Sequence, residues 1–559
     1  MGMMIMKTIK NAIFVVALLI AGQGCSFLDT SLDTNNTGET ILTDRNSIWY
    51  FANTCYTPII YGYSVIDGNI FAAASDEAQQ TSAASGVIYF NKGIVNASVN
   101  PISYLYTNCY EGIRAVNFFL DYVADGKGEA LLAQNRNLVT DAVNYERDLQ
   151  SLKWYIAEAH ILRAYYYSEL AKMYGGVPII ETTMDKSANA FVSRSSYEKV
   201  VEYIVNEIDE WKDELAYNWN DFAEREGRFT LGVALAIKAR TLLYAASPLH
   251  NPSNDTAKWI RAAEASNEFL SNTNISYSLD SDYESYFSGA TSLTSPETIY
   301  AVRRGTSNNL EVANYPITTQ GGKSGVCPTQ NLVDAYEYIG TPNESDPYAN
   351  RDPRFYASIV YNTSVWNGRT IAQAPGETDD MSKANASRTG YYLKKFLTDG
   401  LNLTQGQTAQ HNWVAYRFAE VLLNYAEAVN EAYGPSVVPA GFVMSAKEAL
   451  MKVRDRASVS LPEIEAGTIE SFRKAVKHER MVELAFEDHR YWDLLRWKDA
   501  STVLNEPVKG VQIRKSGENY VYTVVTVATR TFNERNYYLP FSRSEVENSH
   551  GTLQQNPNY

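Results

Sequence analysis

Cysteine and histidine are scarce in this chain, and their scarcity excludes several classes of site. The 559 residues include four cysteines and six histidines. Cys25, Cys55, Cys109 and Cys327 are scattered, without the CxxC spacing typical of metal or redox sites. No histidine lies in an HExxH motif, so the sequence indicates no zinc site. We therefore expect no bound metal and no cofactor, and we interpret the last three cysteines as buried thiols with at most one disulfide bridge.

Basic residues are also few relative to acidic ones. Lysine and arginine total 49 against 64 aspartates and glutamates, which gives a formal net charge of −15 at pH 7. A surface of this sign repels phosphate backbones and anionic membranes, so we expect no nucleic-acid partner. Motifs of common enzymes are missing as well. No GxSxG sequence occurs, and Gly322-Lys323-Ser324 lacks the glycine that a phosphate-binding loop requires at position 317.

Hydrophobic runs long enough to span a membrane are absent. The longest run, at 12–21, has ten residues, well below the roughly 20 that a transmembrane helix requires. Lys7 and Lys10 precede this run and small residues follow it, which predicts a signal peptide over 1–24. Cys25 directly after a small residue resembles a bacterial lipobox, so we expect cleavage before Cys25 and a lipid anchor on it. An ordinary secretory signal that contains a cysteine is the alternative.

Amphipathic helical patterns fill two blocks of the chain. Apolar residues recur there at intervals of three and four, and breaks such as Ser247-Pro248 end the patterns. Ser195 and Glu198 have the spacing of a capping box at the start of one helix. Successive helices joined by short breaks predict stacked helix pairs. The predicted helices cover 152–173, 197–215, 230–246, 257–270, 414–432, 446–457 and 469–497.

Two other segments have an irregular character. Residues 271–412 are dense in Asn, Ser, Thr, Gly, Pro and Tyr, and contain strand-like runs at Thr298–Arg303 and 355–361. A smaller segment of the same kind covers 61–100. Long irregular segments on a rigid scaffold are where binding usually occurs, so we expect a ligand site there.

Six charged residues near the C-terminus step by three or four positions within one predicted helix. One interpretation is a row of active-site groups, but alternating signs at this spacing favour structural ion pairs with neighbouring helices. Glu483 and Glu487 are like charges four apart, so each should have an arginine or backbone partner. The six residues are Arg480, Glu483, Glu487, Arg490, Asp493 and Arg496.

Seven sequence blocks, spread over nearly the whole chain after residue 24, carry a family resemblance. They are EAHILRAYYY at 158–167 with YGGVPII at 174–180, GRFT at 227–230 with KAR at 238–240, PTQNLVDAY at 328–336, YRFAEVLLNYAEA at 416–428, ERMVELAFEDHRYWDLLRW at 479–497, YLP at 538–540 and QNPNY at 555–559. Together and in this order they resemble the SusD/RagB-like family of outer-membrane nutrient-binding lipoproteins.

The resemblance implies a mostly α fold, with a tetratricopeptide-like scaffold of helical pairs and an irregular, loop-rich ligand-binding lobe. It divides the chain into the signal peptide, an N-terminal helical region at 25–270, the lobe at 271–412 and a C-terminal helical region and tail at 413–559. It further implies a lipid-anchored, non-enzymatic protein on the extracellular face of the outer membrane. Such a protein would capture oligosaccharides for a SusC-like TonB-dependent barrel transporter. A peptide receptor and a glycoside hydrolase are the alternatives.

A sugar ligand needs a flat aromatic surface for its C–H face and polar groups for its hydroxyl rim. In the irregular segments, aromatic residues with polar neighbours occur at three places. These candidate ligand-binding residues are Tyr89, Phe90 and Asn91, then Tyr315 and Gln320, then Trp366 and Arg369. If they bind ligand, Tyr315→Ala or Trp366→Ala should weaken binding without much loss of thermal stability. The alternative is that these rings pack beneath their own loops.

Overall fold

The computed structural model describes residues 45–184, 192–219, 227–343 and 345–559. The predicted signal peptide and the predicted lipidation site Cys25 lie outside these residues. Within the described ranges, no helix combines the length and the apolar character needed to cross a lipid bilayer.

The N-terminal part of the fold is dominated by helices. They are α1 Arg45–Thr54, α2 Val87–Asn91, α3 Tyr104–Val123, α4 Lys127–Ala133, α5 Ala142–Tyr174, α6 Tyr197–Trp211, α7 Leu231–Ala246 and α8 Thr256–Ser271. The lobe that follows has only short helices, which are α9 Tyr283–Tyr286, α10 Thr291–Thr294, α11 Asn309–Asn314, α12 Gln330–Ala335 and α13 Pro353–Ser358. The C-terminal part adds α14 Phe418–Tyr433, α15 Ala446–Arg454, α16 Ile469–Glu483, α17 Arg490–Arg496, α18 Ala500–Val503 and α19 Arg543–Asn548.

Strands are short and pair two by two. They are β1 Ala78–Gln80, β2 Thr298–Arg303, β3 Val326–Pro328, β4 Ile359–Tyr361, β5 Val365–Trp366, β6 Arg369–Thr370, β7 Tyr391–Leu393, β8 Asn412–Arg417, β9 Val508–Ser516 and β10 Asn519–Ala528. The antiparallel pairs are β1 with β3, β2 with β8, β4 with β7, β5 with β6, and β9 with β10. Helix accounts for 44% of the chain, so the mostly α prediction is confirmed.

The long helices form the predicted stack of pairs. Helix α5 lies between α3 and α6, α7 packs on α8, and α14 contacts α8, α15 and α16. Alanines on α7, α8 and α14 line the core between those helices, since small side chains allow close approach. A second, larger core runs from α1 to the C-terminal tail and includes residues of the lobe. The three predicted domains therefore share one core, and their boundaries stay a prediction.

Local capping explains some of the helix ends. The Ser196 hydroxyl accepts the Lys199 N–H at the start of α6, so the cap lies one residue after the predicted Ser195. Helix α5 ends at Gly175, whose φ of +74° favours glycine, and whose missing Cβ would lie 3.0 Å from the Tyr538 ring. Cys55, Cys109 and Cys327 are buried free thiols, as interpreted from the sequence.

Three predicted elements differ from the structure. The helix expected over 469–497 is two helices, because Phe486 and Asp488 adopt positive φ between α16 and α17. The strand-like run at 355–361 begins as helix α13, capped by the Asp352 carboxylate, and only then becomes β4. The helix expected over 414–432 starts as strand β8, since these residues pair with β2. Helix α3 and the β9–β10 hairpin were not anticipated.

Candidate ligand-binding surface

The two irregular segments meet in the structure. Strand β1 of the first pairs antiparallel with strand β3 of the second, with Ala78 opposite Pro328. The ladder continues where the Thr81 N–H donates to the Gly325 carbonyl over 2.9 Å. The Thr81 hydroxyl also donates to the Ser324 carbonyl. These contacts bring 61–86 and 304–325 together, and we call the exposed and partly exposed residues of the two stretches the junction surface.

A buried pair of amides locks this junction. The Asn69 and Asn314 side chains each donate to the other's carbonyl oxygen, over 2.9 and 3.0 Å. Asn314 Oδ1 also accepts the Val326 N–H at 3.0 Å, so the pair extends the β1–β3 contact. Gly325 lies against both, and a Cβ there would come within 2.5 Å of the Ala313 carbonyl and 2.9 Å of the Asn69 amide. The close approach therefore requires glycine at 325.

An aromatic ring and a guanidinium lie together at the edge of the junction surface. Tyr61 is partly exposed, and the Arg304 guanidinium carbon is 5.3 Å from its ring centroid. The Tyr61 ring meets Tyr63 edge to face at 5.5 Å, which fixes its orientation. Gly62 lies directly on the buried Trp413 ring, and a Cβ on this glycine would be only 2.1 Å from a ring atom. Burial raises the pKa of Tyr61 to about 12, so its hydroxyl is a neutral hydrogen-bonding group at neutral pH.

Arg303, the neighbour of Arg304, lies beside a second ring. Its guanidinium carbon is 6.0 Å from the centroid of the Trp219 ring. Consecutive arginines at the end of β2 are thus each associated with an aromatic side chain. Sequence reasoning missed these residues, although Tyr61 lies in an irregular segment and the arginines end a predicted strand.

Two aromatic residues predicted to contact ligand are buried instead. Tyr315 and Trp366 are 0% and 2% exposed. Their rings meet edge to face at 5.6 Å, within a small cluster that includes Ile371 and Leu403. The Tyr315 hydroxyl donates to the Thr398 carbonyl. This burial favours the alternative interpretation, in which the rings pack into the interior, and their part in ligand binding stays a prediction.

The two polar residues predicted beside those rings differ in their contacts. Arg369 donates to both oxygens of the buried Asp379 over 2.6 and 2.7 Å. Burial opposes ionisation of Asp379, but hydrogen bonds from Arg369 and Ala372 outweigh it and lower the pKa of Asp379. The Arg369 guanidinium is thus committed to an internal ion pair. Gln320, by contrast, is exposed.

The third predicted group belongs to the main core. Phe90 on α2 is buried, and meets Phe71 and Tyr491 edge to face at 4.9 and 5.9 Å. Tyr89 packs partly buried against the same core, and the Asn91 carbonyl accepts the Thr531 N–H. Phe90 is thus a core residue, and its part in ligand binding stays a prediction. The predicted aromatic residues divide between two separate hydrophobic clusters.

Beneath the surface, the C-terminal charged residues form buried ion pairs. Glu483 accepts from Arg354, Arg417 and Arg456 over 2.8, 2.7 and 2.7 Å. Although burial opposes ionisation, these arginines hold the pKa of Glu483 well below its usual range. The remaining five predicted residues are paired too. Glu487 binds Arg417 and Lys395, Arg480 and Arg496 bind Asp493, and Arg490 binds Asp76. This supports the structural interpretation, and the network fixes the lobe on the scaffold.

No group of three or more His, Cys, Asp or Glu side chains suited to a metal ion occurs in the described residues. A cavity of about 410 Å³ lies away from the junction surface, between α3 and α19. It is lined by Tyr106 and Tyr110 and carries Glu111 and Arg114 among its charged residues.

The fold defines a class of protein, namely a stack of helix pairs that carries a loop-rich lobe. Two family models match the chain. The model described as "SusD family" matches residues 293–559, and the model described as "Starch-binding associating with outer membrane" matches residues 26–243. The chain therefore belongs to the SusD/RagB-like family.

Relatives and solved structures agree with this assignment. Two SusD-like proteins of Formosa agariphila are 25% and 22% identical to the chain, over 64% and 77% of its length and 69% and 79% of theirs. A SusD-like protein from Bacteroides fragilis has the same fold, with a TM-score of 0.75, 25% identity and coverage of 93% of this chain and 98% of that one. A SusD-like carbohydrate binding protein of the same species has a TM-score of 0.74 at 23% identity, covering 91% and 99% of the two chains.

Proposed function

We propose that this protein is a non-catalytic cell-surface receptor that captures oligosaccharides and delivers them to a TonB-dependent barrel transporter. The observation that carries the proposal is the junction surface, where two irregular segments are locked together on a rigid scaffold. Binding sites of this type combine a fixed backbone with a partly exposed aromatic ring, and Tyr61 supplies such a ring. Membership of a family whose model is described as starch-binding supports the class of ligand.

The proposed location is the extracellular face of the outer membrane, with a lipid on Cys25 as the anchor. The family model's description, which names association with the outer membrane, supports this location. Several acyl chains on one residue give stable anchoring, because each buried methylene contributes about 0.8 kcal/mol. The large helical scaffold would then face the transporter and leave the junction surface open to ligand.

A binding experiment tests the ligand class. The purified chain is run in native gels that contain starch, laminarin, xylan, polygalacturonate or chondroitin sulfate, and the products of prolonged incubation are analysed by chromatography. We expect retardation by at least one polysaccharide and no shorter products. Appearance of shorter products would instead establish a hydrolase. Retardation by none of them, with binding of peptides, would overturn the proposal in favour of a peptide receptor.

A matched pair of variants tests the position of the site. Tyr61→Ala should weaken glycan binding by about 1–3 kcal/mol. It removes an aromatic contact surface that loses little side-chain freedom when ligand binds. Tyr50→Ala is the control, since Tyr50 is 64% exposed on α1 and lies in neither irregular segment. Equal affinities for both variants and the unmodified protein would show that the site lies elsewhere.

A further inference from the structure

Arg304 has no polar partner among the described residues, unlike several other arginines of the lobe. Arg351 donates to the Val333 and Tyr336 carbonyls, and Arg354 and Arg369 bind buried aspartates. The Arg304 guanidinium is exposed, and no hydrogen bond or ion pair joins it to a described residue. Its neighbour is the Tyr61 ring, so its five donors are directed to solvent at the candidate site.

The surroundings of Arg304 leave room for a ligand. Gly305 follows it, and nothing lies within 4 Å of where a Cβ would be on that residue. The chain is held in place on the other side, where the Arg304 carbonyl accepts from the Gln410 amide. The Ser307–Ala409 bridge also ties this stretch to the end of the lobe. A fixed backbone therefore presents the guanidinium beside open space.

The net charge of the protein gives the cation at Arg304 a specific meaning. At −15 the molecule as a whole repels anions. An uncommitted guanidinium on a candidate ligand surface therefore opposes the general field, and it favours a ligand whose own charge is negative. The planar fork of arginine matches carboxylates and sulfates, to which it donates two parallel hydrogen bonds.

We propose that the ligand of the junction surface is an anionic glycan, in which a carboxylate or sulfate binds Arg304 and a neighbouring sugar face packs on Tyr61. This inference rests on the proposed function, since it names the class of oligosaccharide that the same surface takes. The contact between Tyr61 and Arg304 holds the guanidinium beside the ring and reduces the side-chain freedom lost on binding. One aromatic face and one anion site then select a charged sugar unit over its neutral counterpart.

The test compares ligands that differ in charge but share a backbone. Calorimetry measures binding of polygalacturonate against its methyl ester, and of chondroitin sulfate against its chemically desulfated form. The first pair reports a carboxylate ligand and the second a sulfate ligand. We expect tighter binding of the charged member in at least one pair, and weaker binding of that member as salt is raised.

Variants connect this preference to Arg304. Arg304→Gln should lower affinity for the charged member about 10- to 100-fold, as for loss of a charge-assisted hydrogen bond. It should leave the melting temperature unchanged. Arg304→Lys should retain part of the preference, because the charge stays while the planar fork is lost. Arg114→Gln is the control, since it makes the same change of charge at an exposed arginine beside the cavity between α3 and α19.

The outcomes separate this inference from the function on which it rests. Equal binding of both members within each pair, or an unchanged preference in Arg304→Gln, would overturn the anionic ligand while leaving glycan binding intact. Failure of the unmodified protein to bind any glycan would overturn the proposed function itself. Selective loss of charged-glycan binding in Arg304→Gln, with Arg114→Gln unaffected, would support the inference.

Discussion

Replacement of Glu483 by glutamine tests the buried charge network. Glu483 is fully buried at the end of α16. One of its oxygens accepts from Arg417 and Arg456, each at 2.7 Å, and the other accepts from Arg354 at 2.8 Å. Glutamine has nearly the same shape, but it carries no charge and turns an acceptor into an N–H₂ donor. Whichever way the amide is turned, that donor faces at least one guanidinium.

The expected loss of stability follows from this geometry. Removing one partner from a buried ion pair costs about 3–5 kcal/mol, because a buried charge is left without compensation. That is a large part of a typical unfolding free energy of about 5–15 kcal/mol. With an unfolding entropy of about 2.1 cal/mol/K per residue, a chain of this size should lose roughly 3–5 °C in melting temperature.

The pH dependence gives the effect a recognisable signature. The arginines hold the pKa of Glu483 below its ordinary value of 4.5, so near and below pH 4.5 the unfolded chain binds more protons than the folded one. The contribution of Glu483 is therefore fully present above pH 4.5 and is lost as pH falls through the acid range. The difference between Glu483→Gln and the unmodified protein should shrink in the same direction.

Urea unfolding followed by tryptophan fluorescence measures the change, with Glu470→Gln as the control. Glu470 is 73% exposed and pairs with Lys474 over 3.2 Å, so its replacement should cost less than about 0.5 kcal/mol. If Glu483→Gln is no less stable than Glu470→Gln at pH 7, the network does not hold the lobe as argued.

Four further predictions concern the core, the pH response, the anchor and the partner. Trp366→Ala should lower stability by about 3–5 kcal/mol, because the ring is buried, while Val365→Ala, which alters a 70% exposed neighbour, should be almost neutral in thermal melting. A loss of glycan affinity in Trp366→Ala without loss of stability would restore the sequence-based hypothesis. Burial raises the pKa of Glu77 to about 8, from 4.5 in the unfolded chain. Between pH 4.5 and 8 the folded state therefore keeps a proton that the unfolded chain has lost, and stability falls as pH rises through that window. Glu77→Gln should therefore gain stability relative to the unmodified protein from pH 5 to pH 8 in urea titrations, and a constant difference would contradict the assignment. Cys25→Ala should move the protein from the membrane fraction to the soluble fraction, and recovery at the unmodified level in membranes would exclude the anchor. Purification from outer membranes in mild detergent should recover a barrel transporter in near equal amount, and repeated isolation of this chain alone would count against delivery.

Helices with a clear apolar face were well predicted from the sequence. The pattern at 230–246 corresponds to α7 at Leu231–Ala246, with Thr230 as its N-cap residue. The missed helix α3 carried a similar signal in Leu105, Cys109, Ile113 and Val116, which all lie buried on one side. Its many tyrosines and asparagines resemble a loop composition, and this concealed the periodicity.

The break between α16 and α17 could not be read from local pattern. Residues 484–489 contain neither glycine nor proline, yet Phe486 and Asp488 adopt positive φ. The Phe486 N–H donates to Glu77, more than 400 positions earlier in the chain, and Asp488 accepts from the Trp492 indole at 3.3 Å. The turn is therefore stabilised largely by a tertiary contact that no window of sequence contains.

The candidate site was predictable by region and not by residue. Composition pointed to 61–100 and 271–412, and β1 and β3 do join those segments. Which rings face outward depends on how each loop folds over its neighbours. Tyr315 and Trp366 pack on each other within a small buried cluster, whereas Tyr61 stays partly exposed next to Gly62, which lies on Trp413.

The buried charge network also limits the order in which parts of the chain can fold. Arg354 pairs with Glu483, which lies 129 residues further along the chain. Glu297 pairs with Arg417 and Arg456, which lie 120 and 159 residues further along. Such distant pairings are slow to form, because the entropy of closing a large loop is lost before any contact stabilises the closed state. The lobe therefore stays incomplete until α16 is present, and a truncation before residue 469 should leave the lobe unable to fold.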